Sequence, residues 1–258
     1  MLLPPMEFDP VFLGGEGRSG TTLLRVMLDA HSRIACGPES HFLADPRFRE
    51  FHEHFRGTWW RRAEGFGYAL DDVDELFRDF VRGWFETYMR RRGKVRWADK
   101  TPQTIHCLPY LWRLFPTARF VHLIRDGRDV ACSILPQSWG PDTVEDAAER
   151  WVDCVWKGVL HRADTERYTE VRYEDLVAQP ERELRRVLAW LGEEWEPAVL
   201  DYHRAEHDSP ERTESSAAQV ERPLYTSSIG RWRRDLTPAQ VRAFERIAGE
   251  TLAFLGYA

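Results

Sequence analysis

Between Val11 and His31 the chain reads VFLGGEGRSGTTLLRVMLDAH, and this stretch limits the possible folds more than any other. Val11, Phe12 and Leu13 form a short apolar run, Gly14, Gly15, Gly17 and Gly20 allow a tight reversal, and Thr21 and Thr22 open an amphipathic segment with Leu23, Leu24, Met27 and Leu28 on one side. A buried strand, a glycine-rich turn and a helix start in succession make a cradle for an oxyanion. The first N–H groups of a helix have no internal partner and lie at the positive end of its dipole. The Walker spacing G-x-x-x-x-G-K-[ST] fits Gly15 and Gly20, but Thr21 stands where the lysine belongs and Thr22 at the following hydroxyl position. Arg18 is the cation inside the loop. A hydroxyl-rich cradle with one arginine suits a single terminal phosphate better than a magnesium-bound triphosphate. The plain alternative is a glycine-rich turn that only packs helix on strand.

The order of the remaining segments favours the phosphate reading. A polar loop through CGPESHF follows the first helix, and residues 72–92 are predicted as a helix. Its stripe of Val73, Leu76, Phe77, Phe80, Val81, Trp84, Phe85 and Tyr88 reads as core. Val95 to Ala98 suggests a strand ending at Asp99–Lys100, and Pro102 can begin a helix through Phe115 that Pro116 stops. Phe120 to Ile124 is a strand candidate that RDGRDV turns into another helix. Residues 143–163 are helical, with Val144, Ala147, Trp151, Val152, Val155 and Val159 on one face. A strand near Glu170–Tyr173, a helix from Glu181 to Leu191 and a last helix from Pro238 to Leu255 complete the series. Alternating strands and helices imply parallel βαβ units, hence an α/β fold with an open parallel sheet flanked by helices. Ligands of such sheets sit at the carboxyl ends of the strands, where the loop, Asp99–Lys100 and Arg125 all fall. Residues 204–228 are polar, contain Pro210 and Pro223 and show no period, so a long loop that is either mobile or covers the substrate is expected there, within a single domain over 1–258.

Composition narrows the function classes. A net charge of −6 does not suit a general nucleic-acid binder. Only Lys94, Lys100 and Lys157 are lysine among the 36 Lys and Arg residues, so a lysine at a strand end draws interest. Cys36, Cys107, Cys132 and Cys154 are scattered, as in a reduced cytoplasmic protein with buried thiols. No run approaches ~18 apolar residues, and MLLPPMEFDP has neither a basic region nor a long apolar core, so neither a membrane helix nor a signal peptide is expected. His52 and His54 lack further ligands at useful spacing, so no metal site is expected.

Taken together, these segments resemble sulfotransferases that use 3′-phosphoadenosine 5′-phosphosulfate (PAPS). GRSGTT at 17–22 is similar to their 5′-phosphosulfate loop, and FVHLIRDGRDVACS at 120–133 to their 3′-phosphate element. VRYEDL at 171–176 and GRW at 230–232 add agreement. RSGTTLLRVMLDAH resembles most the tyrosylprotein sulfotransferases and their bacterial relatives, which read R-S-G-T-T-L-M-R-x-M-L-D-A-H there. The resemblance implies a P-loop-like sulfotransferase fold. It implies donor contacts from Arg18, Ser19, Gly20, Thr21, Thr22, Arg125, Ser133 and Tyr173, with Ser216 on the sulfate side and Arg231 on a phosphate. Cys36-Gly37-Pro38-Glu39 matches their C-G-E-E and nominates Glu39 as general base. Asp99-Lys100-Thr101-Pro102-Gln103-Thr104 matches N-K-D-P-F-T and nominates Lys100, with Arg18, for the transferring group. Pro38 replaces one glutamate, and His41 replaces an arginine after the catalytic carboxylate.

The implied reaction moves a sulfuryl group from PAPS to a hydroxyl and leaves 3′,5′-diphosphoadenosine, without a metal. A phenol or alcohol of a small molecule is the first expectation for the acceptor, a protein tyrosine the second and a sugar the third. His41 is a second candidate for the base, and His31 and His106 lie near the same elements. A P-loop kinase is the competing enzyme class, opposed by the missing Walker lysine; a nucleotide-binding module without activity is the other. Neither nucleic acid nor membrane is an expected partner. A homodimer is compatible with the resemblance.

Overall fold

The computed structural model describes residues 8–205 and 222–257. Five short strands form one fully parallel sheet: β1 (Val11–Gly15), β2 (Ile34–Cys36), β3 (Arg96–Lys100), β4 (Arg119–Ile124) and β5 (Tyr168–Arg172), in the order β2-β3-β1-β4-β5. Between them run α1 (Thr21–Asp29), α2 (Pro46–Arg56), α3 (Trp60–Gly65), α4 (Leu70–Arg91), α5 (Leu108–Leu114), α6 (Gly127–Ile134) and α7 (Val144–Val159). After β5 come α8 (Tyr173–Ala178), α9 (Pro180–Leu191) and α10 (Pro238–Phe254). Helical crossovers are what parallel strands require, and they cover both faces of the sheet.

The period of two along each strand divides the core. Val11, Leu13, Val121 and Leu123 pack with α1 and α9 on one face, whereas Phe12, Phe120 and Trp97 pack with α4 and α5 on the other. A third cluster joins α6, α7 and α10 around Trp151 and Phe244. The four cysteines are buried free thiols, and burial pushes the Cys36 thiol well up from its ordinary range. No helix among the described residues is long and apolar enough to cross a membrane.

Several boundaries differ from expectation. The helix foreseen from Pro102 to Phe115 is a 3₁₀ segment, Pro102–Cys107, followed by α5. Pro109 lacks the N–H that a continuous helix would donate to Ile105, so the ladder restarts there. Ile34–Cys36, three buried residues that end on the first residue of the stretch read as a loop, is the edge strand β2, which was not foreseen. α2 and α3 were not foreseen, although Asp45 accepts the Arg47 N–H as an N-cap and Pro46 occupies the first turn. Parallel pairing sets Leu13 beside Lys100 and Gly15 beside Leu123, so the carboxyl ends of β1, β3 and β4 emerge side by side.

Candidate active site

The loop after β1 owes its shape to residues that only fit one way. Gly20 takes φ +96°, and a Cβ there would stand 2.5 Å from a ring carbon of Tyr173, so glycine alone lets the loop enter α1 beneath that ring. Arg18 (φ 72°) and His41 (φ 58°) are the non-glycine residues with left-handed backbone among those described. Both lie at the strand ends that form the site, where such strain gathers in functional loops.

Arg18 joins the loop after β1 to the segment that follows β4. Its Nε donates to Ser133 Oγ at 2.9 Å, and Arg125 Nη1 donates to the Arg18 carbonyl at 3.0 Å. Arg125 is 5% exposed, lies 4.4 Å over the Tyr173 ring and donates to the Ser228 carbonyl at 2.8 Å. Tyr173 and Ser228 share a hydroxyl–hydroxyl bond of 2.7 Å. The aspartates next to Arg125 in sequence are engaged elsewhere: Asp126 with Arg128 at 2.9 Å, and Asp129 accepts the Gly230 and Trp232 N–H groups. Burial, with Arg125 and Arg231 close by, pulls the Arg18 guanidinium below its ordinary pKa. Like charges so collected favour an anion between them.

Arg18, Arg125, Ser133 and Tyr173 line one cleft together with Gly20, Thr21 and Thr22. Tyr202, Leu224 and Tyr225 complete its wall; the last two belong to the stretch 204–228 marked from sequence, whereas nothing in the local pattern marked Tyr202. Ser19 Oγ and Arg125 Nε are buried without a hydrogen-bond partner among the described residues, one in the 5′ loop and one in the 3′ element. A donor with an anionic group at each end would satisfy both, as unpartnered buried polar atoms demand. Arg231 does not line this cleft; its Nε holds Asp235 at 2.6 Å. Ser216 lies outside the described residues.

A second depression meets the first at Lys100. The Lys100 side chain is fully buried, and its ammonium donates to Thr22 Oγ1 at 3.2 Å and to Glu39 Oε1. The lysine missing from the loop is thus supplied by the neighbouring strand. Glu39 Oε2 lies 3.2 Å from His41 Nε2, and the carboxylate opens into a groove walled by Pro38 and by Phe80, Trp84 and Tyr88 of α4. Part of the stripe read as core therefore lines this groove: Val73, Val81 and Phe85 are buried, whereas Phe80 and Trp84 are 58% and 62% exposed. His41 is pinned where it is, because its N–H donates to Thr101 Oγ1 and its carbonyl accepts from Ala44 and Asp45. Beneath them, burial pushes the Asp99 carboxyl up to about 6, against the hydroxyl of Thr101 and the charge of Lys100. His31 instead bonds the Glu194 carbonyl, away from the groove, and His106 pairs with Asp153 at 3.6 Å. No cluster of three or more metal-ligating side chains occurs among the described residues.

The sulfotransferase family model matches residues 10–197. Protein-tyrosine sulfotransferase 1 of Danio rerio is 28% identical over 264 residues, covering 96% of this chain and 72% of that one. The human protein-tyrosine sulfotransferase 1 is 29% identical, covering 96% and 69%. Among solved structures, the sulfotransferase domain of the Synechococcus PCC 7002 olefin synthase superposes with a TM-score of 0.67 at 21% identity over 96% of this chain and 98% of its own. Mouse SULT7A1, solved in complex with PAP, gives 0.58 at 16% identity over 95% and 85%. With the two motif regions adjoining in space and the family model spanning both, the chain belongs to the sulfotransferase family and is a transferase.

Proposed function

We propose that the chain transfers a sulfuryl group from PAPS to an acceptor hydroxyl. The observation that carries this reading is the Lys100 ammonium, which touches Thr22 of the phosphate loop and Glu39 of the groove at once. A cation in that position stands between a donor's terminal group and the base that would activate an acceptor. The unpartnered Ser19 Oγ and Arg125 Nε fit the donor's two phosphate ends, and the arginine fork at the second end suits a 3′-phosphate, which ATP lacks. The SULT7A1 complex with PAP supports the same choice of nucleotide.

PAPS, when bound, supplies the sulfuryl group and a phosphate oxygen that leaves with the electrons of the S–O bond. The chain's part is positioning and charge. Glu39 takes the acceptor proton as the acceptor oxygen forms its bond to sulfur. Lys100 and Arg18 offset negative charge growing on the leaving oxygen. Thr22 and the helix N-terminus hold the 5′ end, and Arg125 with Ser133 holds the 3′ end. His41, on the far oxygen of Glu39, orients the carboxylate.

A small-molecule phenol or alcohol is the acceptor we favour. A protein tyrosine is the second reading, supported by the names of the curated relatives. Two measurements test the reaction. Melting with 3′,5′-diphosphoadenosine, ATP and AMP should show stabilisation by the first; stabilisation by ATP alone would refute the PAPS reading. Glu39→Gln should lower kcat with PAPS and a phenol by about 10²–10⁴-fold while 3′,5′-diphosphoadenosine binding stays intact. Loss of both would make Glu39 a structural residue.

A further inference from the structure

The groove before Glu39 does not end at the base. α4 turns Leu76, Phe80 and Trp84 outward, 45%, 58% and 62% exposed. Residues four apart share a helix face, so the three form one apolar row about 12 Å long. Its upper end is fastened by Phe42, whose ring lies 6.1 Å from Phe80 and 6.0 Å from Trp84. Phe80 and Trp84 belong to the same groove as Pro38 and Glu39, so the row begins at the proposed base and leads away from it.

The fold covers this row only in part: Phe42 and Phe48 pack against Phe80, yet Leu76, Phe80 and Trp84 all stay about half exposed or more. α4 already buries Val73, Val81 and Phe85 on its inner side, with Phe85 stacked on Trp97 at 4.6 Å. The charges of the groove wall are engaged or displaced: Glu39 meets Lys100 and His41, Asp79 lies 3.4 Å from Arg82, and Arg91 stands at the end of α4 remote from Leu76. A contiguous exposed apolar row that starts at a reactive carboxylate marks a binding surface.

We propose that the acceptor is an amphiphile, a phenol or alcohol whose hydroxyl meets Glu39 and whose extended apolar body lies along Trp84, Phe80 and Leu76. The proposal rests on the sulfuryl-transfer reading and names its substrate class. An apolar body fits better than a peptide, because a peptide would bring backbone N–H and C=O groups to three side chains that offer Leu76 and Phe80 no polar partner and only one indole N–H. The row then acts as a ruler: each methylene laid on it leaves water, up to the length of the row.

The test is kcat/KM of the full chain with PAPS for a series from 4-methylphenol to 4-decylphenol, kept below micelle formation. The expected result is a rise of about two- to fourfold per methylene over the first members, levelling once Leu76 is covered. Phe80→Ala should lower the ratio of long-chain to short-chain kcat/KM at least about tenfold. Leu76→Asp, a surface change, should move the levelling point to shorter chains. A flat series, a ratio that neither variant alters, or a tyrosine peptide outrunning 4-decylphenol would overturn the proposal. So would a dimer in sedimentation that Leu76→Asp dissolves, since a second copy would then cover the row. Absence of transfer to every phenol, together with no stabilisation by 3′,5′-diphosphoadenosine, would instead mark failure of the underlying reaction.

Discussion

Lys100 and His41 can both be named from the sequence, but their contacts cannot be read there. Read alone, the loop has no lysine, because Lys100 stands 78 positions from its contact at Thr22. Only strand pairing closes that gap, and pairing has no local signature. Lys100→Met should therefore lower kcat by at least about 100-fold and weaken PAPS more than 3′,5′-diphosphoadenosine, which lacks the group it would hold. Equal weakening of both nucleotides would mean that Lys100 serves the phosphate loop alone. His41 owes its left-handed backbone to three main-chain bonds, and these keep its ring beside Glu39. His41→Ala should lower kcat about tenfold without changing nucleotide affinity, because a carboxylate held on one side only is less well oriented. Loss of nucleotide binding in the same variant would show that His41 supports the donor cleft instead.

At the scale of elements, periodicity revealed what was long and amphipathic. α4, α7, α9 and α10 appear close to their expected limits, since each repeats apolar residues over several turns. β2 has three residues and α3 six, too few for any period to show. α4 exposes a further limit of the pattern, for a stripe wider than one face can serve two surfaces, and sequence does not say where core ends and groove begins. The inner side of α7 carries a sharper constraint. A Cβ on Gly158 would stand 2.2 Å from His122 Nδ1 and 2.8 Å from the Tyr168 hydroxyl, groups that bond each other at 2.6 Å. Alanine adds roughly 1 kcal/mol of helix propensity. Overpacking and loss of a buried hydrogen bond cost about 1–3 kcal/mol each and outweigh it. Gly158→Ala should thus lower Tm, and an unchanged or raised Tm would refute the close approach of α7 to β4.

Over the whole molecule, pH acts through acids that the fold buries. The Glu16 side chain is 5% exposed, and burial pushes its carboxyl from 4.5 to about 7, while the Arg150 guanidinium at 2.9 Å pulls the other way. Folded Glu16 keeps its proton up to that pH, whereas the unfolded chain releases it near 4.5, so the folded state binds the extra proton in between. Stability from this group is present below 4.5 and is lost as pH rises to about 7, a change on the order of 2–3 kcal/mol. Glu16→Gln should flatten the fall of Tm across that window; a fall as steep as the parent's would place the titration elsewhere. The parallel architecture itself was readable from βαβ alternation, and so was the gathering of strand ends. The stretch 204–228 was marked as a whole, but which of its residues meet the loop, and that Tyr202 joins Leu224 and Tyr225 there, was not, because these segments lie far along the chain and meet the loop only after folding.

The pairing of Leu13 with Lys100 has one more consequence. Adjacent residues of a strand point to opposite faces, so Asp99 and Lys100, neighbours in the chain, present opposite charges to opposite sides of the sheet. A slip of β3 by a single position would exchange ammonium for carboxylate at the place the proposed reaction assigns to the sulfuryl group. The sheet's hydrogen-bond ladder is therefore a proofreading device for the sign of charge in the site. One residue inserted between Ala98 and Asp99 would leave every proposed catalytic group in the sequence and take Lys100 away from Thr22 and Glu39.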